Sequence, residues 1–360
     1  MAKKILLFEF SKSHSEFLYS QVLFLTAHGY DVHLWISQDS HFNLPDSVKL
    51  ADLHKFSAGK NGSLSMFSKL REYIGCHGIQ KMIINTAHGK LVRNLALFFL
   101  FHPVEMIGVL HFGEKIGRSF TQCLISLKIR KYFTLNDYIV ANLHESASKY
   151  RFCVFFYLWF SDQFCQKTVR DDGQLRIVIP GAIDFARRDY FGLFEQIAQC
   201  AEKIENISFS FLGDCSSTEG KKLQSKAQEL GIDHCCRFFT GFVPQDVFYR
   251  TIASADLIMP LIHPNTREYE AFTRFSISGA FNLAFGFKIP LLLYSDRYNE
   301  YEIFKETAFF YLLEDLPELL VKLRDNRQLI EEHAERYNSF DQLTFDYQSV
   351  NYVRFIESNA

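Results

Sequence analysis

The sequence predicts an α/β protein of two doubly wound domains that face a cleft, and three observations carry that expectation. The first half of the 360-residue chain alternates short apolar runs with amphipathic stretches, the pattern of βαβ units around a parallel sheet. The second half repeats the alternation. Between them the chain turns polar, from Ser161-Asp162-Gln163 through Gln166-Lys167 to Arg170-Asp171-Asp172-Gly173, as an interdomain linker does. The length suits two cores better than one. The expected division is 1–165 and 174–335, each Rossmann-like, with a helical tail, 336–360, that crosses back to the first domain.

In the first half, residues 5–10 read as a buried strand and 17–28 as a helix, with Gly29 where a C-terminal glycine belongs. Residues 32–36 form the next strand of this opening βαβ unit. Further strands are expected at 82–85, 106–111, 138–141 and 153–160, and helices at 64–74 and 119–132. In the second half, strands are expected at 175–179, 207–212, 237–240, 257–260 and 289–294. Helices are expected at 190–203, 219–230, 245–255 and 275–285, with a mostly helical tail from 315.

Composition excludes several classes. Hydrophobic residues make up 48% and charged residues 22%, a globular balance. The formal net charge of -2 gives no basic excess for a nucleic-acid partner, and none is expected. Phe is abundant, at 38 residues, which reads as a habit of composition and not as an aromatic binding surface. Eight cysteines (Cys76, Cys123, Cys153, Cys165, Cys200, Cys215, Cys235 and Cys236) form no CxxC pair and no zinc spacing, so they read as reduced thiols and no metal is expected. The chain enters a strand directly after Met1 to Lys4, so no removable leader is expected and the location is expected to be cytoplasmic. The most apolar stretch, 95–112, is broken by His102, Pro103 and Glu105 and is no membrane span.

Ligands of open α/β sheets bind at the carboxyl ends of strands, where helix N-termini present free N–H groups. Three loops of the second half have that position. In Pro180 to Tyr190, Gly181 permits close backbone approach, and Arg187 and Arg188 lie just ahead of a helix start. Cations are disfavoured there unless an anion is present, and arginine clamps phosphate with paired hydrogen bonds. The plainer reading is a solvated turn paired with Asp184 or Asp189. In Thr273 to Asn282, Thr273, Arg274, Ser276, Ser278 and Gly279 open a helix that suits a diphosphate; an ordinary N-cap is the alternative. Gly241, in Gly241 to Gln245, opens a loop that suits a base or ribose, or is simply a strand-to-helix turn.

In the first half, Glu9, His14 and Glu16 lie in or beside the loop after the first strand. A general base from here is chemically reasonable, with Glu16 first and His14 second. Both also have structural explanations as neighbours of a helix start. His111 ends another strand and is a further candidate. There is no Walker A loop, no GxGxxG after the first strand and no GxSxG elbow, which argues against a P-loop NTPase, a dinucleotide oxidoreductase and an α/β-hydrolase.

The second half resembles the donor-binding domain of GT-B glycosyltransferases. The likeness runs through Phe209-Ser210-Phe211-Leu212-Gly213, then Phe238-Phe239-Thr240-Gly241-Phe242-Val243, then Ala253-Ser254-Ala255-Asp256-Leu257-Ile258-Met259-Pro260, then the 276–286 helix before Lys288-Ile289-Pro290. It spans most of 175–300; the first half is similar only in layout. The ending departs from the usual pattern, because Phe287 and Lys288 separate Gly286 from Ile289-Pro290. A second departure is the absence of the Glu-x7-Glu pair of many retaining members: the 276–286 helix has no acidic residue, and Glu268 and Glu270 precede it only two apart. An inverting or divergent branch fits this better, and the Arg187-Arg188-Asp189-Tyr190 stretch resembles bacterial branches that build surface polysaccharides such as lipopolysaccharide.

The resemblance implies transfer of a sugar from a nucleotide-diphosphate sugar, bound by the second domain, to a glycan or lipid-linked glycan acceptor served by the first. It implies no cofactor, since arginines and a helix dipole supply positive charge in place of a metal. A GT-B-fold sugar-nucleotide epimerase and a non-catalytic binding protein are the alternatives. Lys115, Arg118, Lys128, Arg130 and Lys131, interleaved with Ile116, Phe120, Leu124, Ile125 and Leu127, form a basic amphipathic pattern that suits peripheral contact with the inner face of a cell membrane; a helix with a solvated basic face is the plainer reading.

Overall fold

A computed structural model describes residues 3–11, 16–40, 44–45, 48–57, 63–160, 173–200, 202 and 204–359. The chain forms two compact units. Unit 1 comprises Met1–Trp159, Arg274–Ile277 and Thr344–Ala360, and unit 2 comprises Phe160–Thr273 and Ser278–Leu343.

Unit 1 runs β1 (Lys3–Glu9), α1 (Leu18–Ala27), β2 (Tyr30–Ser37), β3 (Asp52–Phe56), α2 (Leu64–His77), β4 (Lys81–Ile84), α3 (Gly89–Phe98), β5 (Glu105–Leu110), α4 (Phe120–Ile125), β6 (Lys131–Thr134), α5 (Asp137–Ala141) and β7 (Arg151–Val154). The strands pair in parallel in the order β3-β2-β1-β4-β5-β6-β7, and Ile5 sits opposite both Val32 and Lys81. The central strand β1 is buried on both faces, which is why Ile5 to Phe8 reads as an unbroken apolar run. Alternate residues serve different layers. Leu6 and Phe8 join a core with Leu91, Val92, Leu95, Ile125 and Ile129, whereas Ile5 and Leu7 join one with Phe17, Val22, Phe24 and Leu25.

Unit 2 runs β8 (Leu175–Pro180), α6 (Tyr190–Gln199), β9 (Ile207–Asp214), α7 (Thr218–Glu229), β10 (Cys236–Phe239), α8 (Gln245–Ala253), β11 (Leu257–Ile258), α9 (Gly279–Phe287), β12 (Leu291–Tyr294), α10 (Glu302–Thr307), β13 (Ala308–Tyr311), α11 (Leu316–Asp325) and α12 (Gln328–Arg336). Its parallel sheet has the order β10-β9-β8-β11-β12-β13. Both sheets reverse strand order beside their first strand, at β1/β4 and β8/β11, and that reversal opens a crevice for ligands in doubly wound folds.

The last helix, α13 (Phe345–Glu357), belongs to unit 1, where Tyr352, Val353, Phe355 and Ile356 pack on the Ile5/Leu7 face of the sheet. Its C-terminal carbonyls are capped by lysines: Lys131 Nζ donates to Ile356 O at 3.0 Å and Ser358 O at 2.7 Å, and Lys81 Nζ to Ile356 O at 2.9 Å. Burial pushes the Lys131 ammonium below its usual range, and Glu105 Oε1 at 2.9 Å opposes that shift.

The structure corrects several expected elements. Residues 138–141 form helix α5 and not a strand, because the buried Asn136 side chain accepts the Tyr138 N–H and caps a helix start. The helix expected over 119–132 stops at Ile125, and β6 begins six residues later. The strand expected over 153–160 leaves the ladder after Val154; its continuation is bonded instead to Thr134 O, to Gln348 Oε1 and to Ser20 Oγ. The 190–203 helix ends at Gln199. The 275–285 helix starts only at Gly279, where Ser278 caps it, after a π-helical turn over Ala271–Phe275. Strands β3, β6 and β13 and helices α3 and α10 were not expected. No helix among the described residues is long and apolar enough to cross a membrane.

Candidate active-site regions

At the carboxyl end of the unit 2 sheet, the loop after β8 turns at Gly181, whose φ of +108° favours glycine. A Cβ there would meet Arg188 Nη2 at 2.7 Å, so the arginine folds directly over the turn. Arg188 Nη1 donates to Ala182 O and Nη2 to Pro180 O, both at 2.9 Å, while its buried Nε has no protein partner. Arg187 Nε lies 3.1 Å from both Asp184 Oδ2 and Glu268 Oε2, and its guanidinium stands 5.6 Å above the Phe272 ring. The two arginines thus share the loop but differ in engagement, one holding backbone and the other paired with carboxylates.

Asp189 closes this loop and caps α6 by accepting the Gly192 N–H at 3.0 Å. Its other oxygen meets His263 Nδ1 and Asn265 Nδ2, each at 2.9 Å, and His263 Nε2 lies 2.6 Å from the Tyr311 hydroxyl. The pattern fits Nδ1–H donating to Asp189 and Tyr311 O–H donating to Nε2. Burial pushes the Asp189 carboxyl up, but the hydrogen bonds from His263, Gly192 and Asn265 outweigh it and leave the group below its usual range. One buried chain of bonds therefore ties the loops after β8 and β11 to the end of β13. Sequence reading missed His263, Asn265 and Tyr311, which lie 74, 76 and 48 positions from their respective partners.

Two other predicted loops are also built. Gly241 has φ +73° and donates its N–H to Asp214 Oδ1 at 2.8 Å. The same oxygen accepts from the Ser216 hydroxyl and N–H, and these three bonds hold the Asp214 carboxyl below its usual range. Ser278 opens α9, with Oγ 3.4 Å from Ala280 N, and Gly279 is its first residue. Thr273 Oγ1 is turned inward to Tyr269 O at 2.9 Å. The chain joins unit 1 over Arg274–Ile277, where Ser276 O accepts from the Tyr138 hydroxyl at 2.6 Å. The 273–279 set is therefore divided: Thr273, Ser278 and Gly279 stand in unit 2, Arg274 and Ser276 in unit 1. One turn into α9, Asn282 is completely buried, and neither amide atom has a protein partner. A buried amide left this way calls for a water or a ligand group.

At the carboxyl end of the unit 1 sheet, Glu9 terminates β1 and is wholly buried. It accepts from Thr86 Oγ1, at 3.1 and 3.0 Å to its two oxygens, and from the Ser11 N–H. Burial, with a smaller contribution from the Glu16 charge, pushes its carboxyl up to about 8, so it is largely protonated at neutral pH. Glu16 stands in the turn before α1. His111, just past β5, has Nε2 2.8 Å from Asn85 O and packs on Phe17 with ring centroids 5.5 Å apart. The Asn85 amide pairs with Gln21 of α1 through two 2.8 Å bonds. His88, which precedes α3, has its ring 6.2 Å from His111 and 5.6 Å from Phe112. The structure thus gathers Glu9, Glu16 and His111 at one end of the sheet; His14 lies outside the described residues. Thr86 and His88 were missed, although the polar run Asn85-Thr86-Ala87-His88 directly after an apolar strand was a readable signal. No group of three or more His, Cys, Asp or Glu among the described residues is placed to hold a metal ion.

No protein-family model matches the chain, and no curated protein matches it by sequence. Solved structures do match. A glycosyltransferase from Rickettsia africae ESF-5 aligns with a TM-score of 0.73 over 99% of this chain and 98% of its own, at 11% identity. Anabaena HepE in complex with UDP gives 0.68 over 98% of both chains at 15% identity, and WaaG, a glycosyltransferase involved in lipopolysaccharide biosynthesis, gives 0.63 over 99% and 100% at 14%. The UDP-GlcNAc 2-epimerase from Neisseria meningitidis, bound to UDP-GlcNAc, gives 0.60 over 99% and 100% at 12%. The chain has the GT-B fold, which these glycosyltransferases and the epimerase share.

Proposed function

We propose that this protein transfers a sugar from a nucleotide-diphosphate sugar to a glycan or lipid-linked glycan acceptor, in the synthesis of a surface polysaccharide. The observation that carries the reading is the strand reversal of unit 2, where the Gly181 loop with Arg187 and Arg188 follows β8. The same unit supplies the α9 start, in a fold whose solved counterparts include one holding UDP. The free N–H groups at the Ser278–Gly279 start of α9 and the two arginines would meet the diphosphate. Arg187 would exchange the Asp184 and Glu268 carboxylates for phosphate oxygens, and the orphaned Asn282 amide would serve the ligand or a water beside it. The Gly241 loop suits the base or ribose.

In the reaction, the acceptor hydroxyl oxygen attacks the anomeric carbon. Its proton passes to Glu16, and the bond from the anomeric carbon to the diphosphate oxygen breaks. The leaving diphosphate takes the electron pair, and the α9 start and arginines stabilise the added charge. Glu9, buried and protonated at neutral pH, is not free to accept the proton and adds no second carboxylate charge beside Glu16. No metal enters this scheme. Inversion at the anomeric carbon fits best, because α9 carries no acidic residue.

The epimerase neighbour, together with the Glu9, His88 and His111 grouping, favours sugar-nucleotide epimerisation as the second reading. Incubation with UDP-, GDP- and CMP-sugars, with and without acceptors, separates the two. Acceptor-dependent transfer or slow donor hydrolysis is expected. Interconversion of free nucleotide sugars would establish the epimerase, and binding without turnover would reduce the protein to a binding module.

A further inference from the structure

Helices α3 and α4 lie side by side on one face of the unit 1 sheet. Gln122 Nε2 donates to Ala87 O at 3.2 Å near their starts, and Lys128 Nζ to His102 O at 2.6 Å near their ends. Each, with the turn after it, buries one side: Leu91, Val92, Leu95 and Phe99 from the first, Ile125 and Ile129 from the second. The opposite sides of the helices, and the turns that follow them, face outward. On the α3 side, Lys90, Arg93, Leu97 and Phe101 recur at intervals of three or four. On the α4 side, Phe120, Leu124 and Leu127 do the same.

These outward faces carry large apolar side chains that stay exposed among the described residues. Phe101 is 97% exposed, Phe120 77%, Leu127 49% and Leu97 40%. Solvated faces of a helix normally hold polar residues, and an apolar cluster of this kind marks a surface that meets something. The charge around it says what. From residue 89 to 130 the cations are Lys90, Arg93, Lys115, Arg118, Lys128 and Arg130, against only Glu105 and Glu114, in a chain whose net charge is -2. Glu105 is itself engaged by Lys81 and Lys131. Apolar side chains that enter an acyl layer, ringed by cations that meet headgroups, form the pattern of a protein lying on an anionic bilayer. An anionic protein partner would supply the charge complement but would leave the outlying Phe101 and Phe120 without the continuous apolar medium that a bilayer offers both.

We propose that the α3–α4 face docks unit 1 on an anionic lipid bilayer, with Phe101, Phe120, Leu97 and Leu127 inserted at the headgroup boundary and Lys90, Arg93, Lys115, Arg118 and Arg130 held against anionic headgroups. Lys128 is occupied by His102 O and serves the helix pair. The docking does not depend on the transfer reading and is tested without turnover.

The experiment is co-sedimentation of the full chain with phosphatidylcholine vesicles, with and without about one-third phosphatidylglycerol, a fraction comparable to anionic leaflets. Binding is expected only with phosphatidylglycerol and is expected to weaken with salt. The Phe101→Ser/Phe120→Ser variant should lose roughly tenfold or more in partitioning, as expected for removing two aromatic insertions. Charge reversal at Arg118 and Arg130 should lose roughly fivefold per site or more. Both variants change exposed side chains, and unchanged circular dichroism and thermal unfolding will show that they fold. Equal binding by folded variants, or no wild-type binding to anionic vesicles, overturns the proposal. So does a concentration-dependent dimer that the double Phe variant abolishes, which would assign the face to a second copy of the chain. Nucleoside diphosphate affinity, measured by calorimetry on the same variants, should not change; its loss would count against the donor-site reading and not against the docking face.

Discussion

The carboxyl ends of the two sheets use opposite devices. In unit 1 the central polar group, Glu9, is buried, protonated at neutral pH and supported by hydroxyl and backbone donors. In unit 2 the loop after β8 ends at an ionised carboxylate, Asp189, with His263, Asn265 and the α6 N–H group arrayed around it. The difference follows from partners. Asp189 gathers enough donors to offset its burial, and Glu9 does not, so one carboxyl is shifted down and the other up. It suits the proposed division of labour, in which unit 2 presents fixed positive ends to a diphosphate and unit 1 handles a proton.

The largest expected effect falls on chemistry. Glu16→Gln should abolish transfer, by at least a hundredfold in kcat as is usual for loss of a general base, while leaving nucleoside diphosphate affinity unchanged. Steady-state kinetics beside calorimetry checks this, and wild-type turnover would remove Glu16 from the mechanism. Next comes Asp189→Ala, which removes the α6 cap and leaves buried donors of His263 and Asn265 unpaired. A loss of about 3 kcal/mol is expected in denaturant unfolding of unit 2. A loss under ~1 kcal/mol would mean that the loops hold without the network.

Arg187→Ala and Arg188→Ala should each weaken nucleoside diphosphate binding roughly tenfold, the scale of one lost charge-assisted contact. The two should differ in stability. Arg188 anchors Pro180 O and Ala182 O, whereas Arg187 pairs with carboxylates at a half-exposed site, so only Arg188→Ala should measurably lower the unfolding midpoint. Unchanged affinity in both would remove the phosphate clamp.

A titration sharpens the contrast in charge. The Glu9 carboxyl is raised in the folded state, so its contribution is fully present below its ordinary value of 4.5. That contribution declines as pH rises, because the unfolded chain ionises first, and is lost by about 8, where the folded group ionises too. Glu9→Gln keeps the shape and removes this titration. The variant should gain stability relative to wild type between pH 5 and 9, measured as the difference in unfolding midpoints, and a flat difference would show that Glu9 is ionised in the folded protein.

Most of the framework was legible because central parallel strands are continuous apolar runs, as Ile5 to Phe8 and Ile177 to Ile179 show. The misreadings have physical causes. β6 opens with Lys131, a residue that belongs in a strand interior only because Glu105 and the α13 carbonyls receive its ammonium. Edge strand β3, Asp-Leu-His-Lys-Phe, exposes most of its side chains and carries little apolar signal. Residues 138–141 are β-branched and aromatic enough to suggest a strand, yet Asn136-Asp137 before them is a cap signature that decides for helix. In the candidate sites, loops at strand ends were readable from position alone. The Asp189–His263–Tyr311 chain was not, since it depends on pairings that only the assembled sheet brings together.

The central claim is tested most directly by following nucleoside diphosphate release when the protein is incubated with individual nucleotide sugars and glycan or lipid-linked acceptors. The account predicts release that depends on one donor class and accelerates with acceptor, with the sugar recovered on the acceptor. Conversion of the donor into an epimeric nucleotide sugar, or no binding and no release across the donors, would contradict it.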